Sequence, residues 1–179
     1  MGRKMEFQVD ILNEYKRWID CASDEEIKQE LALMKDNFEE INESFYKELD
    51  FGTSGMRGIL GAGTNRLNTY VLRRSNLALA SHINKNCASK SVVISYDSRK
   101  NSSRFARETA DLMSAMGIKA YLFSELTPVP VLVYAITKLS CDYGIMITAS
   151  HNPAVYNGYK VYGKHGYQII GRELDSILK

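Results

Sequence analysis

Apolar positions along this chain follow two periods. In the first fifty residues Ile27, Leu31 and Met34 recur at helical spacing, Ser23 and Glu26 stand at capping-box separation, and Trp18 with Ile19 seats an earlier helix. This stretch has no proline, and its only glycine is Gly2. Residues 1–50 therefore read as an arm of two or three helices packed on a main unit, residues 51–179. At Phe51 the pattern changes: "FGTSGMRGILGAGTNRLN" holds five glycines in eighteen residues. A helix follows over roughly 69–85, with Val71, Leu72, Leu79 and Ile83 as its apolar face. The β-branched run "SVVIS" (91–95) predicts a buried strand, and "IKAYLF" (118–123) and residues 143–147 predict two more. Between them the pattern predicts a helix from about Arg104 to Met116, capped by Ser102 or Ser103 and ended by Gly117, and a shorter one over 131–138. "YKVYG" and "YQII" are spaced to pair as a hairpin.

Strands alternating with helices predict an α/β domain of three α/β/α layers with a mostly parallel, mixed sheet. In such sheets the functional loops leave the carboxyl ends of strands. Asp97–Arg99 and Ser150–Asn152 fall there. The chain reaches Lys179 inside an apparent helix, "GRELDSILK", which reads as a fragment end.

Composition narrows the class. The 179 residues are 45% hydrophobic and 25% charged, with a formal net charge of +2. That is the balance of an ordinary globular protein, and it makes no case for nucleic acid or an anionic membrane as partner. Cys21, Cys87 and Cys141 are odd in number and far apart, so neither a disulfide framework nor a structural zinc site is expected. A reducing cytoplasm is the default setting. No apolar run reaches transmembrane length.

The chemistry concentrates in "ITASHNPAVYNGYK", residues 147–160. A serine after a strand is by itself a turn or cap residue. His151 and Asn152 are poor core fillers, and Pro153 fixes the backbone after them. Asn157-Gly158 carries a turn signal that would bring Lys160 back to the strand end. A hydroxyl, an imidazole, an amide and an ammonium would then converge, with the hydroxyl as nucleophile or phosphate carrier. The G-x-S-x-G elbow of serine hydrolases is absent. In "FGTSGMRG" the glycines beside Thr53 and Ser54 can turn backbone N–H groups to an anion that Arg57 would bind; a plain turn is the alternative. No G-K-[ST] follows, so it is not a P-loop. In "YDSR" Asp97 and Arg99 form a pair that braces the site. "GAGTNR" reads as structural, and His82 and His165 as surface or internally satisfied residues.

"TASHNP" followed by "YNGYK" resembles the phosphoserine loop of the α-D-phosphohexomutases, the family of phosphoglucomutases and phosphomannomutases. "FGTSGMRG" and "YDSR" match two further motifs of that family in the same order. The helical arm and "GAGTNRLN" look most like its phosphoglucomutase/phosphopentomutase branch, and the likeness runs from about Trp18 to the end. The resemblance implies a four-domain isomerase of which this chain is most of the first domain, inactive when isolated from the others. Ser150 would carry the phosphate with His151 and Asn152 beside it. Lys160 would serve as general acid/base, and Arg57, Thr53 and Ser54 would hold the phosphate. Phosphate would move between C1 and C6 of a sugar, or C1 and C5 of a pentose, through a sugar bisphosphate that also acts as activator. Mg2+ would bind an oxygen of the phosphorylated Ser150. The family's aspartate-rich metal loop has no counterpart, since no D-x-D occurs, and neither do its sugar-recognition and C-terminal phosphate loops. A non-catalytic domain that binds phosphosugars or a protein partner is the alternative.

Overall fold

The structure, a computed structural model, describes residues 2–52 and 55–178. Three helices come first: α1 (Gly2–Cys21), α2 (Glu25–Leu33) and α3 (Phe38–Phe45). Their apolar stripes meet in one cluster, with Trp18, Leu31, Ile41 and Phe45 buried around each other and against Ala62. The Phe45 ring sits at about a right angle to Tyr15 and Trp18, the edge-to-face arrangement that aromatic quadrupoles favour. The cap of α2 is Asp24, not Ser23. Its carboxylate accepts from the N–H groups of Glu26 and Ile27, and an ionisable acceptor also suits the positive end of the helix dipole. Ser23 instead lies against the Tyr70 hydroxyl.

Six strands form one sheet in the order β1-β2-β6-β5-β3-β4. They are β1 (Phe51–Gly52), β2 (Gly55–Ile59), β3 (Ser91–Tyr96), β4 (Lys119–Leu122), β5 (Tyr143–Ile147) and β6 (Tyr156–Gly163). The sheet is mixed: β4, β3 and β5 are parallel, while β6, β2 and β1 continue it antiparallel. The helices α4 (Thr69–Asn86), α5 (Ser102–Ala115) and α7 (Gly171–Leu178) share a core with one face, and α6 (Val129–Lys138) packs on the other. Period-two alternation sorts the side chains. Val92, Ile94, Ile145, Ile147, Tyr159 and Val161 enter the first core, whereas Val93, Met146 and Tyr162 join Leu132 and Ile136 beneath α6. Each fully buried aliphatic side chain contributes about 1.5–3 kcal/mol. The expected three-layer α/β/α architecture is present, with its parallel part confined to three strands.

Three local expectations need correction. Asn157-Gly158 makes no turn: it lies inside β6, where Gly158 faces Arg57 of β2. A Cβ on Gly158 would come within 2.6 Å of the Thr148 carbonyl oxygen and 2.7 Å of that of Met56. The glycine is there for close approach of backbones, not for a bend. Helix α5 begins at Ser102 itself, after Asn101 in the left-handed region with no side-chain cap, because the Ser102 hydroxyl donates to Asp97 instead. The hairpin of "YKVYG" and "YQII" shrinks to a bridge between Tyr162 and Gln168, closed through Gly166 at φ +80°.

Candidate active site around Ser150

Strand β5 ends at Ile147 in the buried sheet centre, and the chain leaves it through Thr148 and Ala149, both buried. Ser150 then emerges exposed at φ +59°, a left-handed conformation that a residue with a Cβ adopts at a cost of about 1–2 kcal/mol. The surroundings hold it there. Its N–H donates to Thr148 Oγ1 at 2.8 Å, and its carbonyl accepts from Arg99 Nη2 at 2.8 Å.

Arg99 binds the whole loop. Its guanidinium also donates to the carbonyls of Asn152 (2.6 Å), Pro153 (2.9 Å) and Tyr156 (3.0 Å). Asp97 pairs with Arg99 Nε at 3.4 Å and accepts from the Arg99 N–H and the hydroxyls of Ser102 and Thr148. The Asp97–Arg99 pair therefore braces the loop, as its place after β3 suggested. Behind it, Asn157 is fully buried and donates to Ser102 Oγ and to the Lys100 carbonyl.

The two cations arrive from neighbouring strands. Arg57 on β2 lies opposite Gly158, and Lys160 is two residues further along β6. That places both on one face of the sheet as diagonal neighbours. Arg57 Nη1 donates to Asn152 Oδ1 at 2.6 Å, tying β2 to the serine loop. Lys160 is half-buried, and burial first and the Arg57 charge second push its pKa below the ordinary lysine value. Neither cation has a carboxylate partner among the described residues. Antiparallel pairing of β6 with β5 and β2, rather than a turn, thus delivers Lys160.

His151 is exposed, and its imidazole makes no hydrogen bond among the described residues. Thr53 and Ser54 lie outside the described residues. His82 is internally satisfied, with Nε2 3.0 Å from the Tyr143 hydroxyl, and His165 is at the surface. The "GAGTNR" loop is structural: the Ala62 N–H donates to Glu30 of α2, and Asn68 closes the loop through the Gly61 and Gly63 carbonyls. Sequence reasoning missed Thr148, Ser102 and Asn157 as members of the site. Their one signal is that each is a polar residue bordering or interrupting a buried apolar stretch.

A hydroxyl presented on a held loop, with Arg57 tied to that loop through Asn152 and Lys160 diagonal to Arg57 on the sheet, can accept a phosphate whose charge such cations neutralise. Among the described residues no helix is long and apolar enough to cross a membrane. The family described as "Phosphoglucomutase/phosphomannomutase, alpha/beta/alpha domain I" matches residues 48–179. The chain is 39% identical over 157 residues to the phosphoglucomutase of Staphylococcus epidermidis, covering 85% of this chain and 28% of that one. It is 40% identical over 152 residues to that of Staphylococcus aureus, covering 85% and 27%. Among solved structures, a protein of Thermus thermophilus assigned as a phosphomannomutase superposes with a TM-score of 0.67 at 32% identity, over 74% of this chain and 29% of that one. A phosphoglucomutase/phosphomannomutase family protein of Burkholderia thailandensis gives 0.60 at 27% identity, over 71% and 28%. The chain thus spans less than a third of the length of these relatives. With its α/β/α layers, its loop order and these matches in agreement, the chain belongs to the phosphoglucomutase/phosphomannomutase family and corresponds to its domain I.

Proposed function

We propose that this chain is the phosphate-carrying part of a phosphosugar mutase that moves phosphate between C1 and C6 of a sugar, or C1 and C5 of a pentose. The observation that carries the reading is the pair Arg57 and Lys160, two neighbouring cations without a carboxylate among the described residues, of which Arg57 is bonded to the loop that presents the exposed Ser150. Like charges held together destabilise a fold unless an anion joins them, and a phosphate on Ser150 is such an anion.

In the forward step the bond between Ser150 Oγ and phosphorus breaks and a sugar hydroxyl oxygen takes the phosphorus. Lys160 in its neutral form receives the hydroxyl proton and the departing Ser150 oxygen takes it up as a hydroxyl; the lowered pKa of Lys160 makes its neutral form more accessible. The sugar is then a bisphosphate. In the return step the Ser150 hydroxyl oxygen takes the other phosphate, its proton passes to the sugar oxygen that is released, and the phosphoserine is restored. Arg57 meets the charge of the transferring group, and phosphoryl transfer rests chiefly on such positioning and neutralisation. The exposed His151 and the Asn152 amide flank the group. A sugar bisphosphate would reload an unphosphorylated serine, which is the activator role. The expected Mg2+ does not fit this chain's own donors: no three His, Cys, Asp or Glu side chains gather among the described residues, and a phosphate oxygen would be a single ligand of the roughly six that magnesium takes. The phosphosugar substrate, the further domains that would close over it and a cytoplasmic setting belong to the same proposal.

The test is to incubate the protein with glucose 1,6-bisphosphate and map the phosphate by peptide mass. Phosphate on Ser150, and its loss with mutase activity in Ser150→Ala, is expected. Phosphate confined to other residues, with Ser150→Ala fully active in the intact enzyme, would defeat the reading.

A further inference from the structure

Ser150 needs more than exposure: its left-handed backbone must be held while the hydroxyl is attacked and regenerated. Two groups grip that residue, and both answer to Asp97. Thr148 Oγ1 lies 2.5 Å from Asp97 Oδ2 and accepts the Ser150 N–H at 2.8 Å. A threonine hydroxyl has one proton, and a carboxylate paired with Arg99 offers only acceptor sites. The Thr148 proton therefore points to Asp97, which leaves the Oγ1 lone pairs facing the Ser150 amide. Were the hydroxyl turned round, that amide would lose its acceptor. Thr148 itself is fixed, since it is buried and its own N–H donates to the Gly158 carbonyl at 3.0 Å. Asp97 is fixed in turn by Ser102, whose oxygen accepts from the buried Asn157 at 2.8 Å. The chain of bonds runs from β6 through α5 and Asp97, just after β3, to the backbone of Ser150.

We propose that Thr148 is a positioning residue for phosphoryl transfer: its hydroxyl, oriented by Asp97, holds the Ser150 N–H and so sets the direction in which the serine oxygen leaves the loop. This rests on the reading of Ser150 as the phosphate carrier. The role is distinct from packing. The Thr148 methyl group could be kept by valine and the hydroxyl by serine, so the two contributions separate.

The experiment compares wild type, Thr148→Val and Thr148→Ser in amide hydrogen exchange at Ser150, and in kcat and KM in the intact enzyme. In Thr148→Val the Ser150 amide should exchange about tenfold faster, the equivalent of one lost hydrogen bond. kcat should fall about tenfold or more, as small misplacements of reacting groups do, with KM within about twofold. Thr148→Ser should restore both. Should Thr148→Val fail to fold, Asp97→Asn, which keeps the shape but can donate to Thr148, should speed the same amide. Unchanged Ser150 exchange in Thr148→Val overturns the proposal. So does a Thr148→Ser variant as impaired as Thr148→Val, which would mark a packing role, or faster exchange with unaltered kcat. Full activity in Ser150→Ala strikes the phosphoserine reading itself, whereas unchanged exchange strikes only the role of Thr148.

Discussion

Removing the Arg99 side chain tests whether one guanidinium holds the serine loop. Four carbonyls of that loop, on Ser150, Asn152, Pro153 and Tyr156, accept from it at 2.6–3.0 Å. The bonds to Ser150 and Pro153 are open to water, which can replace the donor at little cost. Those to Asn152 and Tyr156 are partly shielded, and a charged donor there contributes about 1.5 kcal/mol or more each. The side chain is only 14% exposed, and its loss also strips Asp97 of its cation. Arg99→Ala should therefore cost about 3 kcal/mol, a fall of roughly 6–12 °C in melting temperature for a domain of this size. Part of that cost can be relieved by local opening of the loop. The assay is urea unfolding read alongside hydrogen exchange across residues 148–156. Arg99→Lys should recover only part of the loss, because an ammonium cannot span four carbonyls as a planar fork does. A change below about 0.5 kcal/mol with unaltered loop exchange, within the range of an ordinary surface substitution, would show that the loop is held by something other than Arg99.

Other substitutions probe the neighbouring contacts. Gly158→Ala puts a Cβ against two backbone carbonyls, those of Thr148 and Met56. It should destabilise by about 1–3 kcal/mol in chemical denaturation and weaken Ser150 phosphorylation, because β2 and the serine loop are forced apart. Tyr159 is fully buried with a hydroxyl that has no hydrogen-bond partner among the described residues, so Tyr159→Phe should stabilise by about 1 kcal/mol in the same assay; a loss of stability would mean that the hydroxyl is bonded. Lys160 has a folded-state pKa below its unfolded value. The folded state then binds fewer protons in the interval below the ordinary lysine pKa of about 10.4. The resulting penalty is fully present at neutral pH and is relieved as pH rises through that interval. Lys160→Met should make the unphosphorylated protein more stable at pH 7, with the advantage shrinking towards pH ~10.4 in pH-dependent thermal unfolding.

Much of the fold was legible because its signals are local. Val92, Val93 and Ile94 are β-branched and buried on both faces, so β3 needs no context to be recognised. Val71, Leu72, Leu79 and Ile83 mark one face of α4. Caps were less legible, since neighbouring polar residues compete for the same N–H groups. Asp24 outcompetes Ser23 at α2, and Ser102 is claimed by Asp97, five residues upstream, whose carboxylate also holds Thr148 from β5's end, a contact that no window of sequence around α5 contains. The sheet direction beyond β5 was also hidden. Antiparallel pairing of β6 between β5 and β2 depends on strands about a hundred residues apart, and an Asn-Gly pair read locally points to a turn instead.

The site divides along the same line. Ser150, Asn152, Arg57 and Lys160 could be proposed as candidates from residue type and position, because a hydroxyl, an amide and two cations have plain chemical uses. Their geometry could not be named, because it arises from backbone pairing. Arg57 and Lys160 share a face only through the register that sets Arg57 against Gly158. Ser150 is aimed by groups that bond to its peptide rather than to its hydroxyl. Thr148, Ser102 and Asn157 are ordinary polar residues in the sequence, and they acquire a role only where Asp97 links them. The chemistry proposed for this site therefore lies in exposed or half-buried side chains, while its geometry rests on polar side chains turned inward. Substitution of the exposed Ser150 should change turnover and leave unfolding nearly untouched; one among Thr148, Ser102 and Asn157 should move both, since each of the three hydrogen bonds is partly or fully removed from water. Equal stability of Ser150→Ala and Asn157→Ala in urea would contradict that division, because Asn157→Ala leaves one buried and one partly buried acceptor without their donor, whereas the Ser150 hydroxyl donates to neither.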